Sequence, residues 1–137
     1  MAIAAILVDT NVVSFIMKDA PEGRLYHAHL KDKLAAISFI TVGEMYYGAE
    51  KASWGIVKRR GLEETLKKFI VIPYDHMIAR QYGVILAACD RLGRPIFIPD
   101  AWIAACACRH SIPLVTHNPR HFEMVPGLTV LSEWRAE

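Results

Sequence analysis

Two aspartates sit where an open α/β sheet places its chemistry. Asp9 closes the apolar run of residues 3–8, and Asp100 follows the short run 96–99 and opens an apolar helical stretch. In such sheets ligands bind outside the carboxyl ends of parallel strands, near the point where strand order reverses. Glu44, three residues after Thr41, is a third acid that the sheet can bring to the same place. Carboxylates gathered there form a hard-oxygen site of the kind that holds Mg2+ or Mn2+, which points to metal-dependent phosphate chemistry. Taken singly, Asp100 reads as a helix N-cap, and Glu44 as the partner of Thr41 in a capping box. Asp9 does not reduce to such a role. An ionised acid after a six-residue apolar run, with no lysine or arginine beside it, is costly unless a cation joins it.

The elements that must position these acids alternate between strand and helix. Residues 3–8 predict a buried strand, continuous rather than alternating, as in parallel sheets covered on both faces. Helices are predicted over 10–18 and over 22–33, the latter with Leu25, His29 and Leu30 on one side. A strand at 34–39 leads to a helix over 41–51, capped by Thr41, and to a basic helical stretch over 54–68 interrupted at Gly61. A strand at 69–73 precedes a long helix capped by Asp75 and ended near Leu92 by Gly93. The remainder reads as an extended run at 96–99, a helix over 100–110, and strands at 113–116 and 128–131. Alternation of this kind argues for βαβ units and a parallel sheet.

The 137 residues suffice for one domain, 1–137, with a core that needs no disulfide. A hydrophobic share of 53% and a charged share of 22% place the chain among globular proteins, and a net charge of +2 tilts it mildly toward anionic partners. The apolar run near the N-terminus is too short to span a bilayer and lacks a basic lead, so neither a signal peptide nor a membrane span is expected. Cys89, Cys106 and Cys108 lie in apolar helical stretches and read as core thiols of a protein in a reducing cytoplasm. Cys106 and Cys108 point about 200° apart on a helix and make a poor metal pair.

Four segments carry a resemblance. They are Val8-Asp9-Thr10-Asn11, Ile40-Thr41-Val42-Gly43-Glu44, Asp100-Ala101-Trp102-Ile103-Ala104-Ala105, and the stretch from Leu114 to Phe122 that contains Thr116-His117-Asn118-Pro119-Arg120-His121. In this order and at these spacings the chain resembles a PIN-domain ribonuclease of the VapC toxin type, over essentially its whole length. The resemblance implies an α/β fold with an open, mostly parallel five-stranded sheet flanked by helices on both faces. It also implies a homodimer and an Mg2+- or Mn2+-dependent endoribonuclease restrained by a cognate VapB-like antitoxin. The family's acids fall on Asp9, Glu44 and Asp100, its polar pair after the first strand on Thr10 and Asn11, and its later polar pair on Thr116 and Asn118. Where the family often has a fourth acid, this chain has His121. That departure bears on a second metal site; the other reading of His121 is a turn cap after Asn118-Pro119.

In this scheme Asp9 and Asp100 hold the metal, while Glu44 completes its surroundings through a water or orients the nucleophile. RNA binding requires positive charge, for which Lys58, Arg59 and Arg60 beside Trp54, together with Arg109 and Arg120, are the candidates. Lys67 and Lys68 read as a solvated helix face, and His27, His29, His76 and His110 as surface or packing residues. Tyr46, Tyr47, Trp54 and Ile56 form an apolar group suited to a partner surface, with the antitoxin reaching the acids through an arginine. Two rivals stand beside this reading. An aspartyl-phosphate phosphatase needs a second aspartate two residues after the first, where this chain has Asn11. The other is a catalytically weak PIN domain that binds RNA or a partner.

Overall fold

The computed structural model describes residues 3–136, so residues 1, 2 and 137 of the expected domain lie outside the described part. Five strands form one sheet: β1 (Ala5–Val8), β2 (Leu34–Ser38), β3 (Ile70–Ile72), β4 (Leu114–Val115) and β5 (Val130–Leu131). Their order is β3-β2-β1-β4-β5, and every neighbouring pair is parallel. The chain starts in the middle, builds outward through β2 and β3, then returns to the other side of β1. Strand order therefore reverses between β1 and β4.

Among the described residues seven α-helices cover the sheet: α1 (Thr10–Met17), α2 (Pro21–Arg24), α3 (His27–Leu30), α4 (Phe39–Lys51), α5 (Ile56–Leu66), α6 (His76–Arg91) and α7 (Ile98–His110). Alternate strand residues face opposite layers, as the pleat requires. Leu7, Ala36 and Leu114 pack with Ile78, Ile85, Cys89 and the buried residues of α7. Ile6, Val8, Ile37 and Val115 pack instead with Val12, Val13, Met45, Ala49 and Leu62 from α1, α4 and α5. Helices thus lie on both faces. Six residues of α7, from Ala101 to Ala107, are buried, and four of them are alanines, so this helix can lie close against its neighbours. Among the described residues no helix is long and apolar enough to cross a membrane.

Four local expectations are corrected. The helix expected over 22–33 is two short helices, because Tyr26 turns inward to full burial while Leu25 stays exposed. Gly23 permits close passage of this segment against α1: a Cβ there would lie 3.1 Å from backbone atoms of Phe15 and Ile16. Helix α4 begins two residues earlier than expected, since Ser38 is its N-cap and accepts from the Ile40 N–H at 3.1 Å. Thr41 is therefore a buried residue of the first turn, not a cap. Helix α5 runs unbroken through Gly61, whose carbonyl accepts the Thr65 hydroxyl at 2.9 Å. Helix α7 begins at Ile98 with Pro99 in its first turn, where a fixed φ is already helical, so Asp100 is not its cap. The Asp75 cap and the positive φ of Gly93 stand as expected for α6.

Candidate active site

The reversal point of the sheet is where the polar residues meet. Asp9 leaves the end of β1 as the N-cap of α1, and its Oδ1 accepts the Thr10 N–H at 2.8 Å. Thr116 leaves the end of the adjacent β4, and its hydroxyl donates to Asp9 Oδ2 at 2.7 Å. Neighbouring parallel strands thus supply an acid and the group that orients it. The same hydroxyl accepts the Asn118 N–H at 3.0 Å, which folds the following turn over the site. Asn11 ties that turn from the other side, its Oδ1 accepting the His117 N–H at 3.3 Å. Asn11 is thereby committed to the loop, and the second aspartate of a phosphatase has no counterpart.

Glu44 arrives from α4. Its Oε1 accepts the Thr10 hydroxyl at 2.7 Å, and Thr10 also meets the Thr41 hydroxyl at 3.0 Å. The spacing of Thr41 and Glu44 therefore serves a contact between helices rather than a capping box. Asp100 comes from the first turn of α7, and its Oδ2 lies 3.2 Å from His121 Nδ1. Asp9, Glu44 and Asp100 line one cleft of about 700 Å³, with Thr10, Asn11, Asn118 and His121 also in its wall.

Asp9 is only 5% exposed and forms no ion pair among the described residues. Burial pushes its pKa up to about 6, the Thr116 hydroxyl and the Thr10 N–H opposing that rise while the charges of Asp100 and Glu44 add to it. Burial raises Asp100 as well, offset by the imidazole of His121. Among the described residues no three acid, histidine or cysteine side chains close on one point. Each acid is held on its own protein partner, Asp9 on Thr116, Glu44 on Thr10 and Asp100 on His121. The donor set is oxygen-rich and carries an unpaired buried acid, so it fits a hard divalent ion. Asp9 and Asp100 are the residues that would hold one.

The cations divide. Lys58 lines the cleft with its ammonium 5.6 Å from the centre of the Trp54 ring. Arg59 is committed elsewhere, to the Trp54 carbonyl at 2.7 Å and to Glu50 at 2.7 Å, while Arg60 is exposed and outside the cleft lining. Arg120 lies over Trp134 at 4.8 Å. Arg109 pairs with Asp75 at 3.5 Å, nine residues along α7 from Asp100 and so roughly 14 Å away along the axis. It belongs to the other end of α7. His121, where the family often has a fourth acid, sits in the 3-10 turn Pro119–His121 and reaches Asp100.

Three contributors carried no usable sequence signal. Lys18 and Phe97 line the cleft, and their isolation in the chain hid them. Tyr26 is fully buried; its hydroxyl bonds to His117 Nδ1, to the Thr116 carbonyl at 3.3 Å and to the Glu133 N–H at 3.1 Å. It braces the loop that orients Asp9 from ninety residues away.

The family model described as PIN domain matches residues 6–128. The chain belongs to the PIN domain family. It is 34% identical over 131 residues to the tRNA(fMet)-specific endonuclease VapC of Salmonella typhimurium, an alignment covering 93% of this chain and 96% of that one. It is 33% identical over 122 residues to ribonuclease VapC2 of Haemophilus influenzae, covering 89% and 92%. Among solved structures, DNA-bound VapBC of Salmonella typhimurium aligns at a TM-score of 0.80 with 30% identity, covering 95% of this chain and 98% of that one. VapBC-1 of nontypeable Haemophilus influenzae aligns at 0.81 with 27% identity, covering 93% and 97%.

Proposed function

We propose that the protein is a divalent-metal-dependent endoribonuclease of the VapC toxin type, hydrolysing RNA phosphodiester bonds and neutralised by a VapB-like antitoxin. The observation that carries the reading is Asp9: a buried carboxylate at the β1/β4 reversal point, without a cationic partner among the described residues, in one cleft with Glu44 and Asp100.

Asp9 and Asp100 would hold the ion; an all-oxygen set suits Mg2+, and the imidazole of His121 would favour Mn2+. What a divalent cation supplies at such a site is acidification of a water and neutralisation of charge building on the phosphoryl oxygens. Thr116 and the Thr10 N–H fix both oxygens of Asp9, so that its orientation does not depend on the ion. Glu44 has one oxygen committed to Thr10, while among the described residues its Oε2 has no protein donor. That second oxygen orients the attacking water and takes its proton as the water oxygen bonds to phosphorus and the bond to the leaving oxygen breaks, the leaving oxygen taking up a proton from solvent. Lys58 sets the backbone in the cleft by phosphate contact, with Arg60 and Arg120 at longer range.

A transfer RNA is the substrate class to test first, on the strength of the Salmonella relative. The protein acts in the cytoplasm as a homodimer, and an antitoxin arginine pairs with the acids. The deciding experiment is cleavage of RNA by the purified protein with and without EDTA, beside Asp9→Asn. Metal-dependent cleavage lost in the variant is expected. Cleavage that survives EDTA, or an equally active variant, overturns the reading. A small overlapping reading frame for a DNA-binding protein is the expected genetic companion.

A further inference from the structure

An acidic cleft made only to hold a cation has no use for lysines or a bare aromatic ring, yet this one has both. Phe97, the residue before α7, is 69% exposed and lines the cleft, its ring tilted beside that of His121 with centroids 5.7 Å apart. A lone exposed phenylalanine is ordinary on a protein surface. This one is part of the wall that holds Asp100 and His121. Lys18, at the end of α1, and Lys58, on α5, line the same cleft, and among the described residues neither is in an ion pair. Cations that track a phosphate backbone, combined with an aromatic face for a base, are the recognition chemistry of single-stranded nucleic acid.

We propose that Phe97 is a stacking ledge for one unpaired RNA base, with Lys18 and Lys58 taking the backbone phosphates that flank it. The assignment deepens the ribonuclease reading and rests on it. It selects for loops and single-stranded regions, because a base already stacked in a duplex has no free face to offer the ring.

The test uses the Asp9→Asn protein, so that binding is read without cleavage, and a short single-stranded RNA carrying 2-aminopurine. Binding of this RNA is expected to quench the probe, and the matching duplex is expected to bind more weakly. Adding Phe97→Ala should weaken single-strand binding about 5- to 100-fold and abolish the quench, which is the range for removing one stacked base. Phe97→Leu should behave like the alanine variant, whereas Phe97→Tyr should bind within about twofold of the parent. Alanine and leucine variants that both match the parent overturn the ledge, as does a duplex bound as tightly as the single strand. If the wild-type protein still cleaves RNA with metal in those cases, the ledge alone falls. If it neither binds nor cleaves RNA, both readings fall.

Discussion

Asp9 and Asp100 share one cleft but are held in opposite ways. Asp9 is sealed between two strand ends, and only neutral donors touch it: a hydroxyl from Thr116 and the N–H of Thr10. Asp100 projects from a helix turn, its side chain 17% exposed, and meets the basic ring of His121. Burial raises both pKa values, but only Asp100 has a neighbour that can carry positive charge. The difference separates two tasks. A carboxylate fixed by neutral donors keeps its geometry for a cation, whereas one beside an imidazole shares its charge with that ring. On the proposed ribonuclease reading, Asp9 would be the anchor of the site and Asp100 its adjustable partner.

The strongest way to break this comparison is to neutralise each acid. Asp9→Asn and Asp100→Asn should each reduce metal-dependent RNA cleavage by about 1000-fold or more while leaving the circular dichroism spectrum unchanged. An active Asp9→Asn protein, free of contaminating nuclease, removes the anchor role. Stability in EDTA gives the next largest effect. The pKa of Asp9 is raised from 3.8 to about 6, so the native state binds a proton more tightly than the unfolded chain does. Its contribution is fully present below about pH 4 and is lost as pH rises through 6, a loss of roughly 3 kcal/mol for this buried group. Asp9→Asn carries no such loss. Urea unfolding in EDTA should therefore show the variant gaining on wild type between pH 4 and pH 7. A constant difference across that range means that Asp9 is not strained by burial.

Thr116→Val probes the donor that distinguishes the two acids. Its loss leaves Asp9 Oδ2 and the Asn118 N–H without their partner, which costs roughly 1–3 kcal/mol, or about 5- to 150-fold if expressed in kcat/KM. Thr116→Ser should recover most of that, and a fully active valine variant refutes the orienting role. On the Asp100 side, His121→Asp exchanges a shared charge for a fourth acid. Cleavage in Mg2+ should rise about threefold and any Mn2+ advantage should shrink, since imidazole favours the softer ion. If neither quantity moves, His121 lies outside the reaction. The smallest effect belongs to the wall: Lys58→Ala should weaken RNA binding about two- to fivefold and reduce the slope of log affinity against log salt by about one. Arg59→Ala, whose guanidinium holds Glu50 and the Trp54 carbonyl, should leave that slope unchanged.

The sequence by itself determined what short-range chemistry dictates. Continuous apolar runs separated by helical periods specify a covered parallel sheet, and Asp75 and Gly93 bound their helix through local hydrogen bonding and a positive φ. Asp9 was legible because an acid ending a buried strand is anomalous at any level of structure. The tertiary fold decided the rest. Thr41-x-x-Glu44 looks like a capping box in one dimension, but Ser38 caps the helix and Thr10, more than thirty residues away, receives Glu44. Tyr26 interrupts a helical pattern because the space under the Thr116–His117 turn is filled from a distant segment. Arg59 and Arg109 were basic residues of unknown allegiance until their carboxylates came within reach. The physical reason is common to all of these cases. Caps and turns are satisfied by atoms a few residues away, whereas a site at a strand reversal is satisfied by whichever side chains the sheet order brings there.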